Sequence, residues 1–378
     1  KYRRQFRAWR NHLRLERESR HYGRLFAAQG LSLPDDGITR ASIGKKYPHI
    51  TPKQKGSLNI LALFHHYNWE REALLPALGK FGPVRHYDWC EEFDHQRKDW
   101  HKSLKARMNR ELIRKLEKWI REDSTDVIFA YISGEQVYPA TIERVSRLGV
   151  PMINLALNDK EHFVGKIRAG KSMGSRDICR YFDLCWTSTE DALKKYCVEG
   201  ATPVYLPEGA NPDIHRPFEE EKIYDVSFVG QCYGNRPEII SRLQSLGINV
   251  APYGSGWPNG PLPLEKMVLL YSRSRINLGF AGIAGHRDAF CLKGRDFEVP
   301  MSGGLYLTEH HPELERVYDI GREIVTYSGF DDLVGKIRFL LTNPEKAEEI
   351  RRSGFRRARM DHTWEKRFER IFSLIGLI

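Results

Sequence analysis

One short stretch of the chain combines charged residues and glycines in a way that suits a phosphorylated ligand. Lys293 and Arg295 precede Glu298, and the pair Gly303-Gly304 then opens an apolar run. Cations so placed can neutralise a diphosphate, which arginine can bind through two parallel hydrogen bonds. A carboxylate one turn later can accept both hydroxyls of a ribose, and glycines let a backbone approach a ligand. The spacing is equally compatible with surface cations and a helix-capping glutamate.

The elements that must position these residues are indicated by short apolar runs alternating with amphipathic segments. Strands are predicted at 58–64, 126–132, 151–157, 183–187 and 203–206, and again at 224–229, 248–253, 276–280, 304–308 and 323–327. Helices are predicted at 70–80, 100–121, 135–148 and 190–197, and again at 237–246, 264–272, 331–341 and 344–359. Apolar strands alternating with helices predict parallel sheets covered on both faces, so the expected fold class is α/β.

The same alternation, interrupted once, predicts the domain organisation. At 378 residues the chain is long enough for two domains. The charged, proline-containing stretch 211–222 reads as a linker between two doubly wound, Rossmann-like halves facing a cleft, where ligands would bind at the carboxyl ends of the strands. The predicted divisions are a basic extension at 1–55, domains at 56–215 and 216–360, and a helix at 361–378 that packs back on the first domain.

The segment 293–308 resembles the signature of the CgeB/YkvP-like glycosyltransferases, a branch of the group-1 (GT4-like) enzymes with the GT-B fold. In that family an Arg-x-Phe-Glu sequence is followed by small residues, Gly-Gly and a strand. Segments 228–238, 253–257 and 270–278 are similar to further parts of the same domain. The resemblance extends over about 224–370 and is thinner over 57–215.

The resemblance implies a metal-independent, retaining transferase that uses a nucleotide-sugar, most simply a UDP-sugar, and modifies a glycan, a lipid or another acceptor. It implies that Glu298 holds the ribose, that Arg295 and Lys293 lie at the diphosphate, and that Arg236 lies at its far side. The remaining donor-site residues that it implies are Gly230, Gly254 and Trp257, the last two near the base, and Thr308 and Glu309 beside the diphosphate or the sugar.

Two features of the sequence bear on catalysis. Group-1 enzymes commonly carry Glu-x7-Glu, whereas the position eight residues before Glu298 is Phe290, with Asp288 nearby. A non-catalytic protein that binds nucleotides or glycans is therefore one alternative interpretation, and a glycosyltransferase directed to nucleic acid, suggested by the basic charge, is another. The chain also has no Asp-x-Asp pair, which metal-dependent GT-A transferases use to bind Mn²⁺ or Mg²⁺, and no metal or other cofactor is expected.

In the first half of the chain, polar residues follow predicted strands. His65 and His66 come directly after the first strand, where they are expected to contact acceptor or donor. The alternative is a simple turn and helix start, with Asn68 as the N-cap. Asp159 follows the third predicted strand and is the strongest candidate in this half for a polar contact to sugar or acceptor.

The basic charge of the chain is concentrated at its beginning. The net charge is +11, and residues 1–25 hold nine Lys and Arg against two Glu, interleaved with Tyr2, Phe6, Trp9 and Leu13. A helix here would carry one apolar stripe. It could pack this stripe on the body of the protein, bind an anionic membrane or polymer, or, least expected, bind nucleic acid.

Cysteine usage and hydropathy indicate where in the cell the protein is expected. The six Cys show no Cys-x-x-Cys spacing, which is typical of a reducing compartment and argues against a zinc site. No apolar run approaches the roughly 18 residues that span a bilayer. We therefore expect a cytoplasmic protein that at most associates peripherally with the inner face of a membrane.

Overall fold

The computed structural model describes residues 2–67, 69–283, 285–286 and 288–378, and the side chains from residue 6 onward. Asn68, the predicted N-cap, lies outside the described residues. The chain divides into two compact units. We call residues 15–207 with 367–378 the N unit, and residues 1–14 with 208–366 the C unit.

The N unit contains a six-stranded parallel sheet. Its strands and a small antiparallel hairpin are β1 (Ile60–Leu63), β2 (Val84–Tyr87), β3 (Val127–Ala130), β4 (Met152–Ala156), β5 (Ile167–Arg168), β6 (Lys171–Ser172), β7 (Leu184–Thr187) and β8 (Pro203–Tyr205). The order in the sheet is β2-β1-β3-β4-β7-β8, with β5 and β6 forming the hairpin. The chain therefore leaves the sheet in opposite directions from β1 and β3, which creates a topological switch point between them.

Helices cover both faces of this sheet. They are α1 (Tyr2–Ala28), which begins among the C-unit residues, α2 (Asp36–Lys46), α3 (Glu70–Gly79), α4 (Lys105–Glu122), α5 (Pro139–Ser146), α6 (Asp159–His162) and α7 (Leu193–Val198). Met108, Leu112 and Leu116 recur at helical spacing along α4 and pack in the core with the strands. An aromatic cluster elsewhere in the unit joins Phe129 and Trp186 to Phe368, with ring centroids 5.1 and 5.6 Å from Phe368.

The C unit contains a five-stranded parallel sheet with helices on both faces. Its strands are β9 (Tyr224–Val229), β10 (Val250–Tyr253), β11 (Ser274–Leu278), β12 (Tyr306–Glu309) and β13 (Val325–Tyr327), in the order β10-β9-β11-β12-β13. Its helices are α8 (Arg236–Ser245), α9 (Leu264–Arg273), α10 (Gly294–Met301), α11 (Phe330–Thr342) and α12 (Pro344–Asp361), and α13 (Trp364–Leu374) ends among the N-unit residues. The switch point of this sheet lies between β9 and β11.

The structure confirms the predicted α/β class and adds elements that the sequence pattern did not predict. Strand β2 was missed because Val-Arg-His-Tyr is half polar, as expected of a strand at the edge of a sheet. Helix α2 lies within a stretch rich in Gly, Pro and Lys, and Asp35 caps it by accepting a hydrogen bond from Ile38. Helix α10 carries the predicted diphosphate-binding segment and continues through Pro300.

The N-terminal helix of 27 residues is confirmed, but its aromatic side chains differ in burial along its length. Tyr22 is buried in the N-unit core, where its hydroxyl donates to Glu199 Oε1 over 2.8 Å. Phe6 and Trp9 are instead 61 % and 44 % exposed, so the expectation that the stripe packs on the body of the protein is wrong for them. Among the described residues, no helix has both the length and the apolar character needed to cross a bilayer.

Candidate functional site

Two arginines meet at the switch point of the C-unit sheet. Phe228 of β9 and Phe280, just after β11, pack edge to face with centroids 4.9 Å apart. The guanidinium carbon of Arg236 lies 5.3 Å from the Phe228 centroid and that of Arg295 lies 5.5 Å from it. Arg236 begins α8 and Arg295 lies in the first turn of α10. The fold thus brings together two cations that are 59 positions apart in the sequence, at the sheet edge where such folds bind ligands.

Arg236 is held by neutral groups. It is 3 % exposed, its Nη1 donates to the Gln231 carbonyl over 3.0 Å, and its Nη2 donates to the Tyr233 hydroxyl over 2.8 Å. The Tyr233 ring lies 3.9 Å from the guanidinium carbon. Burial, followed by the charge of Arg295, lowers the pKa of Arg236 to about 10, so the group remains a cation at neutral pH.

Arg295 has few partners of its own. Its Nη2 lies 3.5 Å from the Phe280 carbonyl, and its buried Nε has no hydrogen-bond acceptor among the described residues. Within this part of the chain, neither Arg295 nor Arg236 forms an ion pair with a carboxylate. A Cβ placed on Gly230 would lie 3.1 Å from Arg295 Nη1 and 2.8 Å from the Phe228 ring, so only glycine fits there. Two guanidinium groups that form no ion pair within the described residues can bind a diphosphate.

Lys293 lies two positions before Arg295 in sequence and is the N-cap residue of α10. Its backbone N–H donates to Asp296 Oδ2 over 2.6 Å, and the Tyr306 hydroxyl donates to Asp296 Oδ1 over 2.6 Å. Asp296 is therefore engaged in fixing the helix start. The Lys293 ammonium lies 2.8 Å from Cys291 Sγ; burial alone would lower its pKa, but the thiol raises it above the usual value.

Glu298 follows one turn after Arg295 and is accompanied by a second acid. A Cβ added to Gly294 would lie 3.0 Å from Glu298 Oε1 and 3.4 Å from Glu208 Oε2, so both carboxylates lie against the start of α10. Burial raises the pKa of Glu208 to about 8, with the charge of Glu298 as the next cause. The sequence analysis missed Glu208, because it lies 90 positions before Glu298 in the sequence.

The other residues implied for the donor site support the backbone around the arginines. The Trp257 indole N–H donates to the Gly230 carbonyl over 2.8 Å. Gly254 has φ +128°, and a Cβ there would lie 2.3 Å from the Gly230 oxygen. Glu309 Oε2 accepts from the backbone N–H groups of Ala281 and Gly282 over 3.2 and 3.3 Å.

Two further features of the signature are explained by packing. Thr308 is fully buried at the end of β12. A Cβ on Gly304 would lie 2.6 Å from Asn277 Nδ2, and one on Gly303 would lie 2.9 Å from Pro217 Cβ. The glycine pair therefore allows close packing within the C unit, which accounts for it without the ligand approach that the spacing suggested.

The N unit has a cavity of about 550 Å³ at the carboxyl ends of β1, β3 and β4. It is lined by Tyr67, Trp69, residues 131–133, 135–136 and 155–159, and parts of the β5–β6 hairpin region. Asp159 lies in this lining and is 2 % exposed, with Oδ2 accepting from the Tyr196 hydroxyl over 2.9 Å. Burial raises the pKa of Asp159 to about 7, although hydrogen bonds from Thr187 and Tyr196 oppose the shift.

His65 lies beside this lining. Its Nδ1 lies 2.8 and 3.0 Å from the two oxygens of Asp88, which also accepts from the backbone N–H of His66 over 3.2 Å. Its ring lies 4.6 Å from that of Tyr67, a cavity residue. His66 accepts a hydrogen bond from the backbone N–H of Arg71 over 3.1 Å, so it also supports the start of α3.

Known proteins share the fold of this chain and part of its sequence pattern. Residues 236–373 match the family described as "Glycosyl transferase-like". The chain has the GT-B glycosyltransferase fold. No curated protein matches it significantly in sequence.

Solved structures establish this fold at low sequence identity. A glycosyltransferase from Rickettsia africae superposes with a TM-score of 0.59 at 10 % identity, over 85 % of this chain and 98 % of its own. An alpha-glucosyltransferase in complex with UDP and a 13-mer DNA gives 0.58 at 11 % identity, over 85 % and 100 %. Sucrose-phosphate synthase from Thermosynechococcus elongatus gives 0.56 at 10 % identity, over 84 % and 100 %.

Proposed function

We propose that this protein is a glycosyltransferase whose C unit binds a nucleotide-sugar through its diphosphate. The observation that carries the proposal is the pair formed by the buried Arg236 and the partly buried Arg295 at the switch point, neither of which has a carboxylate partner in the described part of the chain. Burying cations without anions is costly unless a ligand supplies the negative charge. The match of residues 236–373 to a glycosyl transferase-like family supports the same ligand class.

UDP is the nucleotide we propose, because an alpha-glucosyltransferase with this fold was solved with UDP. In this assignment Arg236, Arg295 and Lys293 bind the diphosphate and Glu298 accepts hydrogen bonds from the ribose. Trp257, Gly254 and Gly230 shape the backbone near the base, and Thr308 and Glu309 support the loops around the diphosphate. We also propose, from the resemblance over 293–308, that the protein belongs to the CgeB/YkvP-like branch.

The proposed reaction retains the anomeric configuration and needs no metal at the donor. As the glycosidic bond to the diphosphate breaks, negative charge grows on the leaving oxygen, and fixed cations stabilise it without reorganising. The departing diphosphate can then accept the proton of the acceptor hydroxyl. Held in place by its binding site, it acts on an adjacent hydroxyl with little entropic cost.

The acceptor is proposed to bind in the N unit. Asp159, with its pKa near 7, can exchange hydrogen bonds with a hydroxyl in either protonation state, and it lies in the lining of the 550 Å³ cavity. His65, oriented by Asp88, is the second candidate for this contact. A glycan or a lipid-linked saccharide presents hydroxyls that suit such a cavity.

The test is to incubate the purified chain with a panel of UDP-, GDP-, ADP- and dTDP-sugars and to follow release of the nucleoside diphosphate, with and without EDTA. Glycans, lipid-linked saccharides and DNA or RNA oligonucleotides serve as separate acceptor arms, and NMR of the product gives its anomeric configuration. We expect donor-specific release that EDTA leaves unchanged. Nucleotide binding without turnover in any arm would favour a non-catalytic binding protein. That alternative is supported by Phe290, which stands where group-1 enzymes commonly carry the first glutamate of Glu-x7-Glu.

The beginning of α1 is proposed to lie on an anionic membrane. Phe6 and Trp9 are exposed with ring centroids 5.8 Å apart, and Arg7, Arg10 and Arg14 are exposed around them. Aromatic side chains flanked by cations bind at the interface of anionic bilayers. This surface would hold the enzyme near a lipid-linked acceptor.

Vesicle sedimentation tests this surface. We expect binding to vesicles containing phosphatidylglycerol but not to pure phosphatidylcholine, because the arginines need anionic lipid. The double change Phe6→Ala/Trp9→Ala should lower the partition coefficient about tenfold or more, given the area the two rings can bury. Phe339→Ala, which removes an aromatic ring that is 52 % exposed on α11, should leave it unchanged. Equal loss in both variants would contradict the assignment.

A further inference from the structure

Three side chains of the kinds that bind transition metals converge in the N unit. His65 follows β1, while Cys90 and His95 follow β2, the neighbouring strand in the sheet. One ligand atom from each lies within 4.8 Å of the other two, and no other group of this kind occurs among the described residues. The carboxyl ends of adjacent parallel strands thus bring together residues up to 30 positions apart.

Asp88 orients two of the three groups. Its carboxylate holds His65 Nδ1 at 2.8 and 3.0 Å, and Nε2 is the ring nitrogen without a hydrogen bond to any described residue. The same carboxylate accepts from the Cys90 backbone N–H over 2.9 Å, at the start of the short 3₁₀ helix Trp89–Glu91. A histidine whose second nitrogen is held by a carboxylate is the usual arrangement of a metal-bound imidazole in proteins.

The Cys90 thiol and the His95 ring face each other directly. Sγ lies 2.8 Å from His95 Nδ1, and the His65 and His95 rings lie 5.2 Å apart. In a tetrahedral zinc site the ligand atoms are separated by about 3.4–3.7 Å, given Zn–N near 2.1 Å and Zn–S near 2.3 Å. In the structure the three ligand atoms lie within 4.8 Å of one another. Side-chain rotations that move these atoms by about 1 Å would therefore complete the tetrahedral geometry.

Aromatic rings enclose the three ligands. Tyr67 lies 4.6 Å from the His65 ring and 5.5 Å from the His95 ring, and Trp100 lies 6.2 Å from His95. Trp89, which is buried, lies 6.1 Å from His65. Rings on several sides limit the conformations of the imidazoles, so less entropy is lost when an ion binds.

We propose that His65, Cys90 and His95 bind one Zn²⁺ ion, with His65 Nε2, Cys90 Sγ and a His95 ring nitrogen as ligands. A thiolate with two imidazoles selects zinc over Mg²⁺ and Ca²⁺, which require oxygen ligands. Three protein ligands leave the fourth tetrahedral position for water or another oxygen ligand. This proposal departs from the expectation of no metal. In it His65 binds the ion, and Asp159 is the candidate that remains for the acceptor contact.

The zinc site is independent of the proposed donor site. The donor residues belong to the C unit, whereas the metal ligands lie in the N unit beside Tyr67, which lines the cavity there. Failure of either proposal therefore leaves the other intact. The readout for the metal is binding and spectroscopy, which need no enzymatic activity.

The experiment uses the full chain stripped of metal by a chelator and then titrated with Zn²⁺ against a chromogenic zinc indicator. We expect one ion to bind per chain. Replacement by Co²⁺ should give visible bands of a tetrahedral ion and a near-ultraviolet band from thiolate-to-cobalt charge transfer. A chain that takes up no ion, or a cobalt complex without the thiolate band, would overturn the proposal.

Variants identify the ligands. Cys90→Ser should abolish the charge-transfer band and weaken zinc binding at least about 100-fold, and His95→Gln should weaken it similarly. Asp88→Asn, which keeps the shape but weakens the orienting contact, should lower affinity about 10- to 100-fold while the band persists. Cys197→Ser, a half-buried cysteine outside the group, is the matched control and should bind zinc normally. Circular dichroism checks that each variant is folded, and a band that survives Cys90→Ser would contradict the assignment.

Discussion

The two units share one strand topology but differ in the charge of the side chains at the carboxyl ends of the strands. Over five strands the N unit has the order β2-β1-β3-β4-β7 and the C unit β10-β9-β11-β12-β13, which are equivalent when strands are counted along the chain. The C-unit edge holds the cations of the buried Arg236 and the partly buried Arg295, whereas the N-unit edge holds the buried carboxyl of Asp159. Loops, and not the strand order, thus decide which ligand each sheet can bind.

Burial has opposite consequences for these charges. It lowers the pKa of Arg236 to about 10, which leaves the cation intact at neutral pH, and it raises the pKa of Asp159 to about 7, which leaves that group partly protonated. The C unit therefore keeps its positive charge and suits an anion. The N unit can present a neutral carboxyl, which suits an uncharged hydroxyl compound.

The largest effect is expected from Arg295→Ala in the C unit. Removing a cation that stabilises the leaving diphosphate should lower kcat about 10²- to 10³-fold, while the affinity for the donor falls less, because the charge matters most as the bond breaks. Steady-state kinetics with the preferred donor measures both. Arg322→Ala, an exposed arginine of the same unit, is the control. Equal losses of kcat and of affinity would contradict the role of Arg295 in charge development.

Glu298→Ala should act on binding. Losing a charged hydrogen-bond partner of the ribose should weaken UDP affinity by about 1–3 kcal/mol, measured by isothermal titration calorimetry. The comparison of UDP with 2′,3′-dideoxy-UDP sharpens the test, since the variant should no longer distinguish them. Glu221→Ala, an exposed acid of the C unit, should bind normally. Unchanged affinity in Glu298→Ala would mean that the ribose binds elsewhere.

A smaller effect, on stability, is expected from Asp159→Asn in the N unit. Because the folded-state pKa is raised from 3.8 to about 7, the unfolded chain ionises first, and this group lowers stability as pH rises through that window. The variant should therefore lose less stability than the wild type between pH 5 and pH 8, by about 1–3 kcal/mol. Urea unfolding at both pH values measures this, with exposed Asp123→Asn as control. Parallel pH profiles of variant and wild type would show that Asp159 ionises normally.

The fold was largely predictable because its strands are apolar runs. β1, β3 and β4 are buried at every position, so their continuous apolar runs identified them without tertiary information. β2 was not predicted because its sequence has no apolar run: at the edge of the sheet the polar residues Arg85 and His86 are tolerated. It is a strand because it pairs with β1. Such pairing between strands cannot be predicted from the residues of the strand alone.

The candidate sites were predictable only where the residues are close in sequence. Lys293, Arg295 and Glu298 lie within six positions at the start of α10 and were found by spacing, whereas Glu208 joins them only through the fold. The cysteines were judged by Cys-x-x-Cys spacing, which cannot detect a group assembled from two strands, as for Cys90 and His65. The roles given to the donor-site residues remain predictions.

The central claim is that Arg236 and Arg295 bind a diphosphate, and calorimetric titration of UDP and of uridine tests it most directly. The wild-type chain should bind UDP at least about 100-fold more tightly than uridine, because hydrogen bonds to charged groups contribute about 1.5–3 kcal/mol each. In the double variant Arg236→Ala/Arg295→Ala this preference should fall to a few-fold, while circular dichroism shows a folded chain. A preference that persists at its full size in the double variant would contradict the account.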